Sequence, residues 1–136
     1  MNEKMMKAQV AMLKVQERAL GKGMVVSLPT VEGMRYDCVI DDGKRLLKVQ
    51  VKYAGGSSDG LKGAVHVSLT KAEGRGANRP YGSDEIDLML VYVAPVDCVC
   101  SFYPDDFKDK MNLNIRYRPA KNGQVRGCVM VEDRMW

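Results

Sequence analysis

The chain has 136 residues, with 21 Lys and Arg against 17 Asp and Glu, for a formal net charge of +4. That length forms one domain with a real core, and the mildly basic balance suits a phosphate-rich partner. No apolar run approaches a membrane span, and the opening MNEKMMK lacks the apolar centre of a secretion signal, so a cytoplasmic, membrane-free protein is expected.

Residues 4–20, KMMKAQVAMLKVQERAL, predict a helix: helix formers dominate and no Gly or Pro interrupts before Gly21. At 100° per residue Lys4, Lys7, Lys14 and Arg18 gather on one arc. Met5, Met6, Val10, Met12, Leu13, Val15, Ala19 and Leu20 fill a wide opposite arc, with Glu17 at its edge. Met24–Leu28 predicts a strand ended by Pro29. Tyr36–Ile40 predicts the next, and Asp41-Asp42-Gly43 is a hairpin signal. In Leu46–Tyr53, Val49, Val51 and Tyr53 alternate with Lys48, Gln50 and Lys52, the period of a half-buried strand.

Residues 54–63, AGGSSDGLKG, predict a loop. Ala64–Leu69 alternates as a strand around His66. Residues 70–83 predict a second loop carrying Lys71, Arg75, Arg79 and Tyr81. Ile86–Ala94 is nearly continuously apolar, as a strand buried on both faces must be. Val96–Tyr103 predicts a further strand, and Pro104-Asp105-Asp106 a turn or short helix. Asn112–Tyr117 and Arg126–Val131 predict a strand pair around a hairpin signal at Lys121-Asn122-Gly123.

His66 is the sole histidine, which argues against chemistries built on paired histidines. Cys38, Cys98, Cys100 and Cys128 form no CxxC pair. Structural zinc is therefore not expected, and reduced, buried thiols are. P-loop, GxSxG and Rossmann spacings are absent. Asp84, Glu85 and Asp87 read as structural groups beside the central strand.

One constellation carries chemistry. A two-residue loop at Asp42-Gly43 pairs Ile40 with Arg45 and puts Asp37 opposite Lys48. Asp37, Lys48, Gln50 and Lys52 then share a face, with Gln50 the diagonal neighbour of Asp37. Asp37 offers charge, Gln50 an amide oxygen and Val51 a main-chain carbonyl, which are ligands that Mg²⁺ accepts. Lys52 is placed to offset negative charge developing on a phosphate. The same residues also describe the wet face of an amphipathic strand, the reading that the pattern alone favours.

The segments RYD (35–37), DDG (41–43) and RLLKVQVKYAGG (45–56), with SLP (27–29) and DEIDLMLVYV (84–93), resemble the PD-(D/E)XK nuclease superfamily. The resemblance runs over residues 8–104 and is to the homing-endonuclease branch with a Q-x-K motif. It implies an α/β (α+β) fold, a restriction-endonuclease-like mixed β-sheet flanked by helices. It implies one nuclease domain over 1–136, with helix 1–20, a catalytic sheet at 24–69 and a C-terminal extension at 110–136. By resemblance Asp37 matches the metal-binding aspartate, Gln50 the substituted ligand and Lys52 the catalytic lysine. The superfamily tends to place an acid on the first helix, which makes Glu17 a candidate. The implied activity is Mg²⁺-dependent, site-specific cleavage of double-stranded DNA, with Mn²⁺ as a substitute, by a homodimer or homotetramer in a bacterial or phage-infected cell. Lys44, Arg45, Lys62, Lys71, Arg75 and Arg79 are the expected DNA contacts. A restriction, repair or junction-resolving nuclease, or a DNA-binding module without catalysis, are the alternatives.

Overall fold

The computed structural model describes residues 2–56, 63–72, 78–82, 84–119 and 128–136 and, of residues 71, 72 and 78, the backbone alone. Helix α1 spans Glu3–Gly21. The Asn2 carboxamide oxygen accepts the Met5 amide at 2.8 Å and so caps the first turn. Glu3 sits where the helix dipole favours an acid. Ala11, Val15 and Ala19, one turn apart, are fully buried, and their small side chains let α1 lie close on the sheet. Met5, Met6, Val10, Leu13 and Leu20 are exposed, so the predicted apolar arc is wider than the face that the sheet covers.

Strands β1 (Val25–Ser27), β2 (Cys38–Asp41) and β3 (Leu46–Ala54) follow as an antiparallel meander. β4 is Ala64–Ser68, β5 Thr70–Ala72 and β6 Asn78–Pro80. β7 (Leu88–Val93) and β8 (Cys98–Phe102) lead to a single-turn helix α2 (Pro104–Phe107), then β9 (Asn112–Arg116) and β10 (Cys128–Met130). The main sheet has the order β1-β2-β3-β7-β8, with β3 and β7 parallel and the other pairs antiparallel. A second sheet, β10-β9-β4, and the β5-β6 ribbon complete this mixed α+β fold.

All six residues of β7 are buried, as its unbroken apolar run requires of a strand paired on both sides. Leu88, Leu90 and Tyr92 meet α1 together with Cys38, Ile40 and Val49. Met89, Val91 and Val93 face the opposite core with Val65, Val67, Leu69, Phe102, Phe107 and Ile115. Each such aliphatic side chain contributes roughly 1.5–3 kcal/mol by leaving water.

Three expectations change. First, the β2–β3 register pairs Ile40 with Leu47 rather than Arg45. The turn has four residues because the Asp42 carboxylate accepts the Lys44 and Arg45 amides at 2.8 and 2.7 Å, while Gly43 takes φ 90°. The shift is two residues, so every side chain keeps its face. Second, part of the predicted loop 70–83 is the β5–β6 ribbon, which pairs Lys71 with Arg79. Third, β9 and β10 are parallel, with Cys128 beside Asn114. The connection after Arg116 is long enough to return to the start of β9, as parallel pairing requires. The turn signal at 121–123 lies outside the described residues.

Candidate functional site

β2 begins only at Cys38 while β3 runs on to Ala54, so among the described residues the second half of β3 has an edge without a strand partner. Asp37 sits where the two strands part. Its amide donates to the Val49 carbonyl at 2.8 Å, and its carboxylate Oδ2 accepts the Val51 amide at 2.9 Å. The side chain thus takes the place of a main-chain acceptor. In an extended strand the amide and carbonyl of one residue point to the same side. The Val51 carbonyl therefore faces the same edge as Asp37.

Gln50 and Lys52 pair with Met89 and Val91 and share their face of the sheet. Gln50 is 7% exposed, and its Oε1 is buried without a hydrogen-bond partner among the described residues. An acceptor left in this state costs roughly 1–3 kcal/mol, which a bound cation would offset. Lys52 Nζ donates to the Thr70 carbonyl at 3.3 Å and lies 5.2 Å from the centre of the Tyr81 ring. Asp37, Gln50, Val51 and Lys52 line one cleft of about 540 Å³, closed on the other side by Glu3, Lys4, Lys7 and Ala8 of α1.

These donors fit a hard divalent cation. Carboxylate, amide and main-chain oxygens are what Mg²⁺ takes, and it commonly binds through one or two carboxylates with water and substrate phosphate filling the remainder. A carboxylate has about four lone-pair sites, so accepting from Val51 leaves Asp37 capacity for an ion. Among the described residues no three His, Cys, Asp or Glu side chains gather as a metal cage.

Beside the cleft, Glu85 organises a charged clamp. Its carboxylate takes the Arg79 guanidinium in two bonds of 2.7 and 2.8 Å, the Gly82 amide at 2.8 Å and an ion pair with Arg35 Nε at 2.8 Å. The Arg79 bond, then the Gly82 amide and the Arg35 charge, outweigh desolvation and hold its pKa at about 2. Arg35 also donates to the Arg79 and Pro80 carbonyls and lies 4.5 Å from the Tyr81 ring centre. Burial pushes the Tyr81 hydroxyl up to about 12, with the Asp37 charge adding to it, so this phenol stays protonated at neutral pH.

The sequence profile of the PD-(D/E)XK endonuclease family matches residues 1–133. The chain belongs to that family. Among solved structures, a bacterial homing endonuclease, I-Ssp6803I, superposes with a TM-score of 0.79 at 24% identity, over 98% of this chain and 89% of that one. At that identity the likeness establishes the fold. A comparison with curated proteins gives no match.

In this PD-(D/E)XK endonuclease three of the sequence candidates come together: Asp37, Gln50 and Lys52, with the Val51 main chain between the last two. Glu17 does not join them. It is exposed and lines no cleft with Asp37, because α1 meets the sheet through Ala11, Val15 and Ala19 rather than through the edge where Glu17 lies. The helix acid that does border the cleft is Glu3, paired with Lys7 at 2.8 Å.

Of the expected DNA contacts, Lys44 and Arg45 are exposed on the β2–β3 turn. Arg79 is committed to Glu85 and serves the clamp. Lys71 lies in β5, and Lys62 and Arg75 fall outside the described residues. Asp84, Glu85 and Asp87 lie just before β7. The Asp84 carbonyl accepts Lys48 Nζ at 2.9 Å, and Asp87 exchanges two 2.8 Å bonds with the Lys48 main chain. His66 is exposed and pairs with Asn114 at 3.2 Å. The four thiols are free, and burial pushes Cys38 up to about 12. Sequence patterning missed the Arg35–Tyr81–Glu85 clamp; the acidic cluster after Tyr81 was its only local signal. Among the described residues no helix is long and apolar enough to cross a membrane.

Proposed function

We propose that this PD-(D/E)XK endonuclease is a Mg²⁺-dependent, site-specific enzyme of the homing type, cutting double-stranded DNA as a homodimer or homotetramer in a bacterial or phage-infected cell. The observation that carries it is the buried, unpartnered Gln50 Oε1 in a cleft with Asp37 and Lys52. Folding alone gives no reason to keep that oxygen there, whereas a cation gives it a partner. Asp37, Gln50 and the Val51 carbonyl would hold the ion, with Mn²⁺ able to replace Mg²⁺. When bound, such an ion supplies a more acidic water and offsets charge developing on the scissile phosphate.

The chain's own groups do the rest. Asp37, anchored through Val51, holds its carboxylate at the edge of β3 rather than swinging in solvent. Lys52 brings an ammonium to the same cleft, where partial exclusion of water strengthens its attraction for an anionic transition state. Among the described residues one such cleft is present, so cutting both strands takes two copies, and two-fold symmetry is the simplest arrangement.

The test is cleavage of a library of random DNA targets by purified protein with and without Mg²⁺. Cuts at one recurrent site that require the ion support the proposal. Tight DNA binding with no cleavage under Mg²⁺ or Mn²⁺ overturns it in favour of a binding module.

A further inference from the structure

A catalytic lysine on a strand edge has four rotatable bonds, and ordering it costs entropy. The β5–β6 ribbon and the residue that follows it bring Lys52 two of the groups that reduce its freedom. One is the Thr70 carbonyl at 3.3 Å. The other is the ring of Tyr81, the residue directly after β6, at 5.2 Å. Tyr81 is 1% exposed, and a buried ring attracts a cation more strongly than an exposed one because less water screens the charge and competes for it.

The ring is itself pinned from both sides in sequence. Arg35 donates to the carbonyls of Arg79 and Pro80, and Glu85 accepts the Gly82 amide. Arg35 also lies against the ring at 4.5 Å, but its charge is paired with Glu85 at 2.8 Å, so it does not repel Lys52 as a bare cation would. The Tyr81 hydroxyl has no hydrogen-bond partner among the described residues.

We propose that Tyr81 is a positioning residue for Lys52: its buried ring holds the ammonium at the open edge of β3, and its hydroxyl takes no part. The proposal rests on Lys52 acting in DNA cleavage. It separates the ring from the phenol, and both from simple packing.

The experiment replaces Tyr81 in the full chain by Phe and by phenylalanines carrying one, two and three ring fluorines. Fluorine withdraws charge from the ring face at nearly constant shape. Single-turnover cleavage under saturating Mg²⁺, DNA affinity without metal, and Tm are measured for each, with Lys52→Ala as the reference. Tyr81→Phe is expected to cleave within about twofold of the parent. The rate then falls stepwise with each fluorine, by roughly tenfold in all, while affinity and Tm hold. A flat fluorine series beside an inactive Lys52→Ala overturns the positioning role and leaves the site assignment standing. Unchanged cleavage by Lys52→Ala overturns the site assignment, and the positioning role with it. Loss of cleavage in Tyr81→Phe makes the hydroxyl the working group and overturns the proposal. A rate that falls only in step with Tm assigns Tyr81 to packing and does the same.

Discussion

The Asp37 carboxylate accepts the Val51 amide at 2.9 Å, so one side chain both closes the sheet where β2 departs and stands at the cleft. The two roles separate by substitution. Asp37→Asn keeps an oxygen for the Val51 amide but loses the charge. Cleavage should fall by orders of magnitude while Tm changes little. Asp37→Ala loses both, leaving the Val51 amide short of an acceptor, and should add a stability loss of about 1–3 kcal/mol. DNA affinity should survive or improve in both, since a negative charge near phosphate is gone. Urea denaturation and a plasmid-cleavage assay distinguish the pair; full cleavage by Asp37→Asn would remove Asp37 from the metal site.

Gln50 makes the opposite prediction for stability. Replacing a buried, unpartnered acceptor by an apolar group of similar size is neutral or stabilising, so Gln50→Leu should hold or raise Tm and abolish Mg²⁺-dependent cleavage. Gln50→Glu places a carboxylate at a position 7% exposed. Without metal that variant should be less stable. With Mg²⁺ it should recover more Tm than the parent does, because an ion that binds only the folded state stabilises by mass action. A calorimetric scan with and without Mg²⁺ reads both. Equal Mg²⁺ shifts in the two proteins would mean that Gln50 is not a ligand.

Much of the site was legible because its residues are close in sequence. Asp37, Gln50 and Lys52 lie on one hairpin, and an even register shift leaves faces unchanged, so the two-residue error in the turn did not disperse them. The same holds for β7, whose LMLVYV leaves little choice but a buried strand. Glu17 shows the limit of helical projection: it locates an arc, not the part of that arc that touches the sheet, and small Ala11 and Ala19 made the contact. The clamp was beyond reach for a different reason. Arg35 meets Tyr81 and Glu85 from a distant part of the chain, and no local period records that meeting. The parallel course of β10 is likewise a tertiary outcome, which a turn signal between the strands does not encode.

The Glu85 clamp predicts an acid-sensitive region. Its carboxyl falls from an ordinary 4.5 to about 2 in the folded protein, so the unfolded chain binds this proton more readily. The stabilisation is complete above about pH 4.5 and is lost as pH falls toward about 2. Glu85→Gln should be less stable than the parent at neutral pH and should flatten the pH dependence of stability across that interval. Arg79→Ala, which removes a half-exposed partner, should cost on the order of 1 kcal/mol and leave DNA affinity unchanged. A large affinity loss in Arg79→Ala would return that residue to the DNA surface.

The β2–β3 turn presents two exposed cations, Lys44 and Arg45, to solvent. The Asp41 and Asp42 carboxylates are turned inward on the main chain, accepting the Gly43 amide at 2.9 Å and the Lys44 and Arg45 amides at 2.8 and 2.7 Å. That leaves Lys44 and Arg45 exposed at the tip. Exposed charges at a turn contribute little to folding, so Lys44→Ala with Arg45→Ala should leave Tm nearly unchanged. If each cation neutralises one phosphate, the double variant should lower the slope of log affinity against log salt by about 0.9 per residue. The loss should be similar on cognate and unrelated DNA, because phosphate contacts position the protein without reading bases. Cleavage of DNA already bound should keep its rate, since neither side chain lines the cleft of Asp37 and Lys52. Affinity titrations at several salt concentrations decide the matter. An unchanged slope would move the DNA surface to the basic side of α1 around Lys4 and Lys7, which border the same cleft. A loss confined to one target sequence would instead make Arg45 a reader of bases.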